Sequence, residues 1–256
     1  MTLQGEPSGL VDWPTAGGTF SIRWEMRTDV GHRREVNEDS AVVAPPVFAV
    51  ADGMGGHEAG EVASAYVVER LATLAGQQVD GSRIADALRQ AVNDLVASGV
   101  DVNSGTTVTG LYLPSDAAVP SVHTFNIGDS RVYVLHKGML SQVTKDHSVV
   151  QELVDSGQLS PEEAEVHPHS NVITRAVGFH DDPVPDVVPI MIESGDRVLI
   201  CSDGLTKELT DFGLTQFLAD SQPLDAAADA LLNLALENGG RDNITVIVLD
   251  FTFSTV

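Results

Sequence analysis

Apolar residues along the chain recur in two ways, and each predicts a kind of element. Unbroken apolar runs at 47–51 and 198–201, and a run at 244–249 interrupted only by Thr245, stand beside glycine and aspartate, as in strands covered on both faces. Alternating or β-rich stretches follow at 20–24, 40–43, 105–113, 121–127, 131–135 and 140–143. Turn chemistry separates them at Pro45-Pro46, Pro114-Ser115-Asp116, Gly128-Asp129-Ser130 and Lys137-Gly138. Helical spacing places Ala59, Val62, Ala63, Tyr66, Val67 and Leu71 on one face, and Ile84, Leu88, Ala91 and Leu95 on another. The second of these helices is predicted to start at a Ser82 cap and to stop near Gly99. Shorter helices are predicted over 149–154, from Ser160, and over 210–218, and a last one over 224–236 with a glycine stop at Asn238-Gly239.

Strands and helices come in blocks instead of alternating singly, which predicts an α+β fold of antiparallel meanders with helical layers outside. Residues 1–19 are rich in Gly, Pro, Ser and Thr and read as a flexible leader. Residues 20–256 read as one domain, with no repeat at solenoid period. Within it, 145–180 differ in texture and hold four of the eight histidines, His147, His167, His169 and His180. This stretch reads as an inserted subdomain, either a lid over a site or a decorated surface loop.

Composition narrows the classes. With 256 residues, 43% of them hydrophobic, there is enough apolar surface for a large core. Fourteen basic against 37 acidic residues give a formal charge of −23, which excludes electrostatic help in binding nucleic acid. No run is long enough for a membrane span and no signal-peptide pattern opens the chain, so a soluble, cytoplasmic protein is expected. One cysteine, Cys201, rules out an internal disulfide framework and fits a reducing compartment.

The chemistry begins where the 47–51 run ends in Asp52-Gly53-Met54-Gly55-Gly56-His57. Alone, Asp52-Gly53 is compatible with a simple tight turn. Asp203-Gly204 repeats the same grammar, however, and Asp242 reverses it by preceding its strand. If these strands pair antiparallel, the three aspartates meet at one sheet edge. Converging carboxylates repel unless a cation lies among them, and this points to a metal site.

In order, Arg34-x-x-Asn37-Glu38-Asp39, Asp52-Gly53-Met54-Gly55-Gly56-His57, Ser104-Gly105-Thr106-Thr107, Gly128-Asp129-Ser130-Arg131, Thr144-Lys145-Asp146-His147, Cys201-Ser202-Asp203-Gly204-Leu205 and Gly240-Arg241-Asp242-Asn243-Ile244-Thr245 resemble the metal-dependent protein phosphatase (type 2C serine/threonine phosphatase) family, especially its compact bacterial members. The resemblance implies a four-layer αββα sandwich of two antiparallel sheets flanked by helices. It implies two Mn²⁺ or Mg²⁺ ions at one end, bridged by Asp52, with the Gly53 carbonyl on one ion and Asp203 and Asp242 on the other. Oxygen donors of this kind suit hard divalent ions, and the Cys/His groupings of structural zinc are missing.

The same resemblance implies hydrolysis of phosphoserine and phosphothreonine by direct attack of a metal-bridging hydroxide. Arg34 would clamp the phosphoryl oxygens, with Arg33 as its decoy, and Glu38, Asp39 and Asn243 would orient the ligands and waters around the ions. Asp129 matches the position that helps hold a third, weaker ion, and its alternative is an Asx-turn. Met54 departs from the larger eukaryotic members, which carry histidine there as the proton donor to the leaving group. His57 is the substitute, with a role at the start of the following helix as the alternative. The expected partners are phosphorylated proteins and a cognate Ser/Thr kinase, with the chain itself a monomer.

Three other readings compete. A cysteine-dependent phosphatase loop would put arginine six residues after Cys201, but Lys207 stands there and Asp203 would repel phosphate. A catalytically weak phosphatase-fold scaffold would be expected to have lost metal carboxylates, and none is lost here. A calcium-binding module needs a dense oxygen-ligand loop, which is absent.

Overall fold

The computed structural model describes residues 1–15, 17–55, 59–99, 104–114, 121–179, 182–219 and 222–255. Its two longest strands, β3 (Gly18–Asp29) and β13 (Ile244–Thr255), pair antiparallel along their whole length. They sit inside a six-stranded sheet of order β10-β9-β12-β13-β3-β2, with β2 at Ser8–Thr15, β9 at Arg131–His136, β10 at Met139–Gln142 and β12 at Arg197–Cys201. The second sheet is seven-stranded, of order β1-β4-β5-β7-β8-β11 with β6 attached to β5. Its strands are β1 (Leu3–Gln4), β4 (Asp39–Ala44), β5 (Val47–Met54), β6 (Gly105–Thr106), β7 (Val108–Tyr112), β8 (Ser121–Ile127) and β11 (Asp186–Met191).

The period of two along each strand sorts side chains into separate cores. Ala41, Val43, Phe48 and Val50 meet Val198, Ile200, Ile247 and Leu249 between the sheets. The alternate residues Val42, Ala49 and Ala51 pack under α1 (Ala59–Ala72) and α2 (Gly81–Ser98). On the far side, Leu199, Cys201, Val246 and Val248 pack under α5 (Asp203–Thr206), α6 (Asp211–Leu218) and α7 (Leu224–Asn238). The result is the expected helix–sheet–sheet–helix order. One short departure is β1, which pairs parallel to β4.

The expected leader is overturned. Residues 8–15 form β2, paired with β3 from Ser8↔Glu25 to Thr15↔Gly18. Val11 and Trp13 pack onto the inter-sheet core from this edge strand, where Pro14 costs no ladder bond. Gly, Pro and Ser set the composition of the segment, while the alternation of Val11 with Trp13 set its structure. The cap of α2 is Asp80, not Ser82: its carboxylate accepts from the Arg83 amide at 3.0 Å, and Ser82 Oγ donates to it at 2.6 Å. Gly99 at φ 74° closes that helix, as expected.

Between β10 and β11 lie α3 (Val149–Asp155) and α4 (Pro161–Glu165), the latter opened by a Ser160/Glu163 capping box. The bridge Ser148↔Ile173 closes this segment on itself, and Thr106↔Val177 ties it to β6 in the body. Among the described residues, no helix is long and apolar enough to cross a membrane.

Candidate active site

At one end of the sandwich the inward-facing rows change from apolar to polar. Continuing the rows of Ala41 and Val43, of Phe48 and Val50, of Val198 and Ile200, and of Ile247 and Leu249 leads to Asp39, Asp52, Ser202 and Thr245. Asp39 lies opposite Asp52 in the β4/β5 register. Ser202 Oγ donates to Asp39 Oδ2 at 2.8 Å across the two sheets and accepts from the Thr245 amide at 3.0 Å. Thr245 Oγ1 is 2.9 Å from Thr28 Oγ1.

Asp203 and Asp242 come together as the antiparallel β12/β13 pairing dictates, one just after its strand and the other just before. Gly204 makes the closeness possible, since a Cβ there would lie 1.9 Å from Asn243 O. Asp52 reaches them by another route than the one expected. It is not on a neighbouring strand of their sheet; the three strands that pair with β5, namely β4, β6 and β7, all belong to the seven-stranded sheet, so Asp52 meets the pair across the sandwich. Gly53 is equally constrained, with its amide donating to Glu38 O at 3.2 Å and a would-be Cβ 2.2 Å from Gly60 O.

The other shared motifs brace these groups. Thr107 Oγ1 accepts from the Asp52 amide at 3.1 Å, Thr106 Oγ1 donates to Asp52 O at 2.9 Å, and Thr107 Oγ1 lies 2.8 Å from Ser130 Oγ. Buried Asp129 is thereby held beside Ser130 in its turn. Nδ1 of His147 accepts from the Gly128 amide at 3.0 Å, while Gly128 O accepts from the His147 amide at 2.9 Å. Arg131 grips Asp146 through Nε at 3.0 Å and Nη2 at 2.7 Å. Asn243 Oδ1 accepts from the Glu38 amide at 2.8 Å, and its Nδ2 donates to Val30 O at 2.9 Å and Val36 O at 3.0 Å. That side chain therefore holds both ends of the exposed loop carrying Arg33 and Arg34.

Arg34 turns inward onto Asp242, with Nε 2.8 Å from Oδ1 and Nη2 3.0 Å from Oδ2. Lys207 forms an ion pair with Asp203 Oδ2 and lies 3.5 Å from Asp242 Oδ2. Sequence reasoning missed Lys207, Ser202 and His147. The signal for Lys207 was its place four residues after Asp203, one helical turn on. His57 lies outside the described residues.

Crowding of carboxylates shows in their proton affinity. Burial first, and then the charge of Asp203 and Asp242, pushes Asp39 up to about 7. Burial and Asp203 push Asp129 up to about 7 as well. Asp52 is raised well above the carboxylate range by burial and by Asp39, Asp203, Asp129 and Asp242. Burial also raises Glu38. Oδ1 of Asp39 and Oδ1 of Asp203 are buried with no hydrogen-bond partner. Among the described residues no three Asp, Glu, His or Cys side chains are grouped as the ligands of one ion, and Asp203 and Asp242 are paired with Lys207 and Arg34. Even so, the donor set fits a hard divalent cation: it is all oxygen and mutually repelling, with Asp203 Oδ1 orphaned within it and Asp39 Oδ1 orphaned beside it.

A family model described as Protein phosphatase 2C matches residues 32–243, spanning every element that contributes to this end of the sandwich except β1–β3 and β13. The chain belongs to the protein phosphatase 2C family. It is 40% identical to the serine/threonine protein phosphatase PstP of Mycobacterium tuberculosis over 239 residues, 91% of this chain and 45% of that protein, so it spans about half the length of that relative. It is 34% identical to the serine/threonine phosphatase stp of Listeria monocytogenes over 243 residues, covering 88% of this chain and 94% of that one. The crystal structure of the Mycobacterium tuberculosis phosphatase PstP/Ppp superposes with a TM-score of 0.83 at 37% identity, over 90% of this chain and 99% of that one. The PstP catalytic domain in complex with two manganese ions gives 0.80 at 35% identity, over 91% and 99%.

Proposed function

We propose that this chain is a metal-dependent protein serine/threonine phosphatase. The observation that carries the reading is the meeting of Asp39, Asp52, Asp203 and Asp242 at one end of the sandwich, with two carboxylate oxygens unpartnered and Arg34 beside them. Asp52, the carbonyl of Gly53, Asp203 and Asp242 would hold Mn²⁺ or Mg²⁺, and Asp129 would serve a third, weaker position. Bound there, the ions supply positive charge to phosphoryl oxygens and lower the pKa of water to near neutrality.

The chain's own residues do the rest. Arg34 is half-exposed on its loop and can exchange Asp242 for a phosphoryl group, whose oxygens its planar fork matches. Asn243 fixes that loop, and Glu38 and Asp39 would orient the waters around the ions. His57 is proposed as the proton donor to the departing serine or threonine oxygen. The segment between β10 and β11 would shape access for a phosphoprotein, and the substrate would be the product of a cognate Ser/Thr kinase. The single, fully buried, reduced Cys201 is consistent with work in the cytoplasm.

The test is hydrolysis of a phosphothreonine peptide in EDTA and then in Mn²⁺, alongside Asp52→Asn. Turnover only with metal, lost in the variant, supports the reading. A folded wild-type sample that binds phosphoprotein without turnover in Mn²⁺ or Mg²⁺ would replace it with the scaffold.

A further inference from the structure

Lys207 is an unusual neighbour for a proposed metal site. It follows the four-residue helix α5 that Asp203 begins, and its amide donates to Asp203 O at 2.8 Å. One helical turn separates the two side chains, so the backbone itself sets the ammonium over the carboxylate. Nζ pairs with Asp203 Oδ2 and approaches Asp242 Oδ2 to 3.5 Å. Arg34 holds Asp242 from its other side. Two side-chain cations thus neutralise the two carboxylates assigned to one ion under the proposed function, on which this inference rests. The neutralisation is incomplete, since Asp203 Oδ1 stays buried and unpartnered. The Lys207 side chain is 31% exposed, which leaves the ammonium a way out to water while its backbone stays fixed.

We propose that Lys207 is a built-in competitor for the divalent cation: its ammonium neutralises Asp203 and Asp242 in the metal-free protein and has to leave them before an ion binds there. Two effects of opposite sign follow. The lysine stabilises the metal-free fold by relieving repulsion between carboxylates, and it weakens the affinity for the ion by the same interaction. The ion on Asp203 and Asp242 is therefore held less tightly and exchanges more readily than the same carboxylates alone would allow. The ion touching only Asp52 and Gly53 escapes this competition.

The experiment compares wild type with Lys207→Met, which keeps the length of the stem and removes the charge, and with Lys207→Arg, which keeps the charge. Mn²⁺ binding is measured by calorimetry, and Tm is measured in EDTA and in saturating Mn²⁺. The proposal expects K207M to bind the weaker Mn²⁺ about tenfold tighter. It expects the Tm of K207M to fall by about 2–4 °C in EDTA and to equal or exceed wild type in Mn²⁺. K207R should stay close to wild type in both. Unchanged or weaker Mn²⁺ binding by K207M, with wild type binding normally, overturns the competitor role and leaves the metal site standing. Absence of Mn²⁺ binding in wild type and variants alike overturns the metal reading, and the competitor role with it.

Discussion

Asp39 and Asp52 stand directly opposite one another in the antiparallel register of β4 and β5, both on the face turned toward the other sheet. Two carboxylates so placed cannot both ionise cheaply, and burial adds to the cost. Asp39 and Asp129 are each pushed up to about 7 from an ordinary value near 4. Between those limits the native state binds more protons than the unfolded chain, so stability falls as pH rises and levels off above pH ~7. In EDTA, Tm should therefore decline from pH 5 to pH 8. Saturating Mn²⁺ should remove most of that decline, because a bound cation favours the ionised carboxylates. A metal-free Tm that is flat or rises over this range would contradict the crowding.

Arg34 rests on Asp242 and, under the proposed function, would exchange that partner for a phosphoryl group. Its guanidinium lies in fork geometry on Asp242, and its side chain is 49% exposed. An exposed pair of this kind adds little to stability. Arg34→Ala should leave Tm within about 1 °C while lowering kcat/KM on a phosphopeptide by about 10- to 100-fold, mostly through KM. Arg34→Lys should recover only part of the loss, because a point charge lacks the fork. Equal kinetics in R34A and wild type would take Arg34 out of the site and turn attention to Arg33.

The doubly buried strand that carries Asp52 was legible because its apolar run has no polar face to show, and the helix stop at Gly99 because glycine takes the left-handed φ. The pairing of Asp203 with Asp242 followed from a local rule, since adjacent antiparallel strands share an edge. The place of Asp52 did not follow from that rule, because which sheet a strand joins depends on distant neighbours that compete for its edges. Composition misled at residues 8–15, where two inward apolar residues outweighed the polar ones. Lys207 and Ser202 were hidden for a related reason: each matters only through a carboxylate, and Ser202 meets Asp39 163 positions away.

Asn243 makes three bonds to three backbone groups, at Glu38, Val30 and Val36, while only 4% exposed. Asn243→Ala would leave a buried amide and carbonyls unpaired, at a cost of about 2–4 kcal/mol. The loop it staples carries Arg34, so phosphopeptide affinity should fall together with Tm. Asn243→Asp keeps the acceptor for the Glu38 amide but loses both donated bonds and adds charge beside Asp242. It should be no better than alanine. Thermal denaturation of both variants, paired with KM, checks this, and retention of full Tm in either would show that the loop is held by other means.

Cys201 gives the sharpest separation from thiol chemistry. It lies at the end of β12, 0% exposed, packed among Leu199, Leu205 and Val246, with Sγ 3.8 Å from Arg131 O. Burial pushes its thiol up to about 12, so almost none is thiolate at neutral pH. Native protein should resist iodoacetamide at pH 8 and become reactive only on unfolding, which mass spectrometry of the treated protein reads directly. Cys201→Ala removes only a small buried sulfur, at about 1 kcal/mol of stability, and should retain wild-type phosphopeptide turnover in Mn²⁺. Loss of turnover in a folded C201A, or rapid alkylation of the native protein, would restore the cysteine-dependent mechanism and remove the carboxylate cluster from the centre of the chemistry.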